Sequence, residues 1–141
     1  MKKNLLCFIG SIIGLLSLFF YNKPINDDIP AILRTLFYGN SSVSILHPFW
    51  LILLLSLLSI VYGFGLSIYG IVKNKDIATS VFFVSLINIL NIYALFFLTK
   101  KITLYGGMLL ICLVLFIVLA FANFIVNNIK KGEKDKQKME D

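Results

Sequence analysis

The sequence predicts an all-α integral membrane protein: a four-transmembrane-helix bundle with a short amphipathic helix in the outer loop between helices 1 and 2. Three observations carry that expectation. The 141 residues are 59% hydrophobic and only 14% charged, with a mean hydropathy of +0.92, a balance too apolar for a chain that must dissolve in water. The apolar residues gather into four runs, each close to the length needed to cross a hydrocarbon layer about 30 Å thick. No Asp, Glu, Lys, Arg or His falls inside any of the four.

The first run is Leu5 to Tyr21, preceded by Lys2 and Lys3; as a helix rising about 1.5 Å per residue it barely spans. A basic start and an apolar core also describe a signal peptide. Here the run ends in Phe19-Phe20-Tyr21-Asn22-Lys23-Pro24 with no small-x-small cleavage site, so an uncleaved anchor is expected. Pro48 to Val72 is the clearest span, opened by a proline tolerated in a first helical turn and closed by Lys73-Asn74-Lys75-Asp76. Ile77 to Leu98 and Leu104 to Ile129 follow. The 1–129 membrane domain then gives way to a tail over 130–141 with five Lys and four acids, which cannot bury a core and is predicted to be disordered.

Orientation comes from Lys and Arg. The N-terminus, the 73–76 loop and the tail hold nine, against Lys23, Arg34, Lys100 and Lys101 on the other side, which places a multi-pass chain in the cell membrane with both termini cytoplasmic. Tyr21, Trp50, Phe96, Phe97 and Tyr105 fall near the predicted outer ends, at head-group depth. The net charge of +6 therefore reads as topology and not as a nucleic-acid surface. One Arg against twelve Lys, with many Ile, Asn and Phe, is the composition of an AT-rich genome and predicts a low-GC bacterial source.

Three features could carry function. In the outer segment, Ile29, Ile32, Leu33, Leu36 and Phe37 recur at helical spacing, with Asp27 or Asp28 as cap, Pro30 in the first turn and Gly39-Asn40 as the stop. This amphipathic helix either docks a peptide or protein partner, with Arg34 beside the apolar stripe, or lies flat on the bilayer; the stripe itself requires only the latter. The second feature is small residues at membrane-packing spacing: Gly10 and Gly14, extended by Cys7 and Ser17, and Ser59, Gly63 and Ser67 in the second run. Pairing of these stripes within one bundle is favoured over a homo-oligomer. The third is intramembrane polarity, with Ser85, Asn88 and Asn91 in one sector of the third run and Asn123 and Asn127 in the fourth, either lining a polar path or joining helices by hydrogen bonds. Joining is favoured over a path.

Absences restrict the chemistry. Proton or ion coupling and intramembrane acid–base or metal catalysis need ionisable groups in the spans, and these spans have none. His47 is the single histidine, and Cys7 and Cys112 lie at different predicted depths, so neither a metal site nor a disulfide is expected. No cofactor motif occurs. No residue pattern is shared between the first and second helix pairs, which leaves an inverted-repeat transporter unsupported.

The layout resembles claudin-type proteins in outline, but the tryptophan motif and cysteine pair of their first loop are absent from 22–47, so no role carries over. In size, composition and Lys-bearing ends the chain resembles small membrane proteins of Gram-positive bacteria, bacteriocin-immunity proteins among them. The expectation is a non-catalytic protein that binds: a subunit of a membrane complex, or an immunity-type factor against a membrane-active peptide. Two alternatives stand, a holin-like pore former and a small transporter or lipid-flipping subunit.

Overall fold

The computed structural model describes residues 4–21, 48–98 and 103–140, with side chains described over 4–20, 51–93 and 103–139. Four helices make up the described chain: α1 (Leu5–Tyr21), α2 (Pro48–Val72), α3 (Ala78–Leu98) and α4 (Leu104–Glu140). Their ends follow from local chemistry. The Asn4 carbonyl accepts the Phe8 N–H at 3.0 Å to begin α1. α2 closes in a Schellman motif, with Lys75 N–H on Gly70 O at 3.1 Å and Asn74 N–H on Ile71 O at 3.4 Å, and Asn74 takes the left-handed turn at φ 51°, a conformation asparagine tolerates better than most residues. α4 is capped by Thr103, whose hydroxyl oxygen accepts the Gly106 N–H at 3.2 Å.

Consecutive helices run antiparallel, and α1 closes the ring against α4. Each helix buries one stripe: Cys7, Gly10, Gly14 and Ser17 on α1; Leu53, Ser56, Ile60, Gly63, Ser67 and Gly70 on α2; Ala78, Val81, Ser85, Asn88 and Asn91 on α3; Leu109, Leu113, Phe116, Ala120, Asn123 and Asn127 on α4. Spacings of three and four residues keep each stripe on one face of its helix. The outward faces are apolar, with Ile9, Leu16, Leu58, Val61, Phe83, Leu90, Ile111 and Val118 all exposed, while the interior combines apolar side chains such as Leu53, Ile60, Leu113 and Phe116 with buried Ser and Asn.

Among the described residues the protein is thus all-helical, and two of the helices are long and apolar enough to cross a membrane: Leu51–Val72 and Leu104–Met139. The apolar stretches Leu5–Phe20 and Ala78–Tyr93 are shorter. The amphipathic helix expected around 29–37 lies outside the described residues. α4 continues into the charged tail, through Glu140. Lys, Glu, Gln and Met are strong helix formers, and Lys131 with Asp135 and Lys136 with Glu140 stand at the i, i+4 spacing that supports a solvated helix without burial.

Candidate functional site

The polar residues of the interior form two groups at different heights. Midway along the bundle, α2 and α3 are joined by an amide–hydroxyl seam. Ser56 Oγ donates to Asn88 Oδ1 at 2.5 Å, Asn88 Nδ2 donates to Ser59 Oγ at 3.0 Å and to Ser85 O at 3.2 Å, and Asn91 Nδ2 donates to Ser56 Oγ at 3.0 Å. Ser59 in turn donates to Ser56 O at 2.7 Å. Both amide hydrogens and the oxygen of Asn88 are therefore used, and all four side chains named are buried. Such groups are costly in an apolar interior unless paired, and here they pair with each other across two helices.

Ser85 spends its hydroxyl on Phe82 O at 2.7 Å, and Ser67 spends its own on Gly63 O at 2.8 Å. Both are back-bonds to the helix's own carbonyls, the usual refuge of a hydroxyl in a dry helix. Asn88→Leu is expected to destabilise the protein by about 1 kcal/mol, since a side-chain hydrogen bond contributes little net and Ser56 can turn to a carbonyl of its own helix. Detergent-micelle unfolding curves check this; a loss of several kcal/mol would mean the seam does more than join two helices.

The second group closes the end of the bundle where α1 begins. Asn4, 2% exposed, donates to Lys75 O at 2.6 Å and its Oδ1 receives the Ile77 N–H at 3.5 Å. Beside it, Asp76 accepts the Ala78 N–H at 3.2 Å and the Asn127 amide at 2.9 Å, and its second oxygen pairs with Lys131 Nζ at 2.7 Å. Two orphan donors at the start of α3 are thus satisfied by Asn4 and Asp76. One clasp ties the α1 start, the α2–α3 turn and the C-terminal third of α4.

Partial burial pushes the Asp76 carboxyl up, but hydrogen bonds from Lys131, Asn127 and the Ala78 N–H, with the Lys131 charge, outweigh it and hold its pKa below the ordinary 3.8. A carboxyl with a lowered folded pKa stabilises the fold at pH above its unfolded value, and that contribution disappears as pH falls through the folded value. Melting temperature is accordingly expected to be flat from neutral pH to about 5 and to drop below about 4, the drop being smaller in Asp76→Asn. Parallel melts of the two proteins across that range test it, the difference between them isolating Asp76 from the solvated carboxylates of the tail.

Between these two groups the small residues of α1 and α2 meet one ring. A Cβ added at Gly14 would lie 3.3 Å from Phe116 Cγ, one at Gly10 3.4 Å from Phe116 O and 3.6 Å from its Cδ2, and one at Gly63 2.9 Å from its Cζ. Gly10 and Gly14 also approach Leu119 and Ile60. The glycines thus form a slot for a fully buried Phe116.

Of the residues singled out from sequence, Ser59, Ser85, Asn88 and Asn91 come together in the seam, and Gly10, Gly14 and Gly63 come together around Phe116. Ser67 is buried lower on α2 and Asn123 is buried on α4 between the seam and the clasp. Ile29, Ile32, Leu33, Arg34, Leu36 and Phe37 lie outside the described residues. Ser56, Asn4 and Asp76 escaped sequence reasoning. Ser56 carried a signal, since it stands three residues before Ser59 and so on the face that Gly63 and Ser67 continue; Asn4 and Asp76 looked like ordinary flanking polar residues. Compared with known protein families, curated proteins and solved structures, the chain matches none.

Proposed function

We propose that the chain is a four-span protein of the cell membrane with both termini cytoplasmic, and that it acts without catalysis by binding another membrane protein or a membrane-active peptide. The observation that carries the reading is the inverted polarity of the helices: Ser56, Ser85, Asn88, Asn91 and Asn123 are inside while Leu16, Leu58, Val61, Phe83 and Ile111 face out. A water-soluble bundle would bury the second set and expose the first. In lipid the arrangement costs nothing outside and satisfies the polar groups inside. α1, with 17 residues, would extend about 25 Å and is accommodated by local thinning of the bilayer.

Two further points support binding over the alternatives. Buried serine hydroxyls donate to main-chain carbonyls or to Asn88, so none is presented to a base that would activate it. Leu53, Ile60, Leu109, Leu113 and Phe116 are fully buried and fill the centre, which disfavours a water path through one copy of the chain.

The test is purification of a C-terminally tagged chain from its native membrane in mild detergent, with stoichiometric co-purifying proteins identified by mass spectrometry. Partner capture is expected, and replacing Leu33 and Phe37 with Asp is expected to abolish it while leaving membrane insertion intact. Recovery of a large homo-oligomer, with collapse of membrane potential on induction, would replace this reading with the pore former.

A further inference from the structure

We propose that the part of α4 beyond Asn127 is a docking face for a partner protein, which lays an acidic helical segment along the row Lys130, Lys134 and Lys138. The inference rests on the membrane and binding reading above, and adds to it a surface and the chemistry of its partner. α4 buries its last side chain at Asn127, and every side chain from Asn128 to Met139 is exposed. The helix nevertheless runs on to Glu140. About three turns therefore stand clear of the bundle, with none of the described residues covering them.

Charge on this segment is segregated. At about 100° per residue, Lys130, Lys131, Lys134 and Lys138 fall in one sector about 100° wide, the sector that Asn123 and Asn127 occupy on the preceding turns, whereas Glu133, Asp135 and Lys136 fall outside it. The basic face thus continues the face of α4 that packs into the bundle, on the side where Asn127 and Lys131 bond to Asp76. Lys131 is engaged there. Among the described residues no carboxylate pairs with Lys130, Lys134 or Lys138, and the two like-charge i, i+4 steps of the row weaken an isolated helix. Carboxylates supplied from outside turn that repulsion into attraction.

Reach selects a protein over a lipid headgroup. The apolar run closes at Ile129, and Lys134 and Lys138 stand about 7 and about 13 Å past it along the helix axis. A headgroup layer is about 5–8 Å deep on each side of a bilayer, and the attraction of an anionic leaflet fades over about 8 Å at physiological salt. Lys138 is beyond both. From Lys130 to Lys138 the row is about 12 Å long, with one charge per turn, and a second helix carrying Asp or Glu at every fourth position presents the complementary spacing. Each exposed pair is weak alone, and several in register set orientation and give a salt-sensitive affinity.

The experiment places a photo-crosslinking amino acid at Gln137, beside the row, or at Met139, across the helix from it, in the full chain in its native membrane. Crosslinked peptides are sequenced by mass spectrometry. Position 137 is expected to capture a segment of another protein with Asp or Glu at three- or four-residue spacing, several-fold more often than position 139. Lys134→Gln with Lys138→Gln should lower that yield about fivefold, while Lys73→Gln with Lys136→Gln, removing the same charge from outside the row, should lower it less than about twofold. Equal yields from the two positions, equal losses in the two variants, or no crosslink from 137 would overturn the docking face. Attachment to lipid, to nucleic acid or to a second copy of this chain would overturn the assignment of its occupant. Alkaline carbonate extraction and co-purification are scored alongside: release of the wild type by carbonate defeats the membrane reading itself, whereas a partner recovered by co-purification without a crosslink from 137 defeats the basic face alone. Helical circular dichroism confirms that the variants are folded.

Discussion

Phe116→Ala is expected to destabilise the bundle by about 3 kcal/mol, the lower end of the range for removing a buried aromatic ring. The ring is fully buried and is bordered by Gly10 and Gly14 of α1 and Gly63 of α2. Glycines have no side chains that could move into the vacated space, so the cavity persists. The hydrophobic transfer contribution is small when the unfolded helices remain in lipid, and the loss is chiefly of van der Waals contact. Unfolding in mixed micelles measures it. A change below about 1 kcal/mol would mean that the slot collapses around alanine, contrary to the packing described.

A complementary pair separates packing from mere loss of volume. Gly63→Ala places a methyl group 2.9 Å from Phe116 Cζ, a contact that requires the ring to move and so destabilises on its own. In the Phe116→Leu background the same methyl has room. The double variant should be more stable than the sum of the single effects predicts, with a coupling of about 1 kcal/mol.

The residue stripes of this fold were legible because small residues and polar groups at helical spacing mark the faces through which apolar helices meet. Gly10 and Gly14, and Gly63 with Ser59, stood out for that reason. Their partner did not: the spacing suggested that the two stripes face each other, whereas the structure inserts Phe116 from α4 between them. A single phenylalanine in a run rich in Phe, Leu and Ile carries no local mark, and only the three-helix geometry distinguishes it. Asn88 was legible as a buried amide in need of partners, but its partner Ser56 on another helix depends on register. Asp76 and Asn4 were hidden for another reason. They flank helices in the sequence as capping residues commonly do, and their ties to Asn127, Lys131 and Lys75 come from elements up to 71 residues away.

Gly70→Ala is expected to be the other strongly disruptive change, and its sign is decided by two opposing quantities. Alanine is intrinsically better than glycine inside a helix by about 1 kcal/mol. Against this, the new Cβ would clash with Ile77 Cγ1 and lie 2.8 Å from Asn4 Nδ2. Neither neighbour can give way cheaply. Ile77 is the buried residue that leads into α3, and the Asn4 amide holds Lys75 O and the Ile77 N–H. Gly70 O is moreover the acceptor of the Lys75 N–H that closes α2, so a backbone shift to relieve the clash strains the turn as well. Overpacking of this kind costs up to about 3 kcal/mol, and the net result is a loss of about 2 kcal/mol after the gain in helix propensity. Gly65→Ala is the internal control, because nothing lies within 4 Å of a Cβ there; it should be neutral or stabilising by up to about 1 kcal/mol. Hydrogen exchange locates the damage: protection should fall at Lys75, Ile77 and Phe8 in Gly70→Ala and stay unchanged at Gly106, which is held by Thr103 at the other end of the bundle. Partial recovery in the Gly70→Ala, Ile77→Val double variant would trace the loss to the clash; equal stability of the Gly70→Ala and Gly65→Ala proteins would show that α1 does not approach the turn as closely as Asn4 requires.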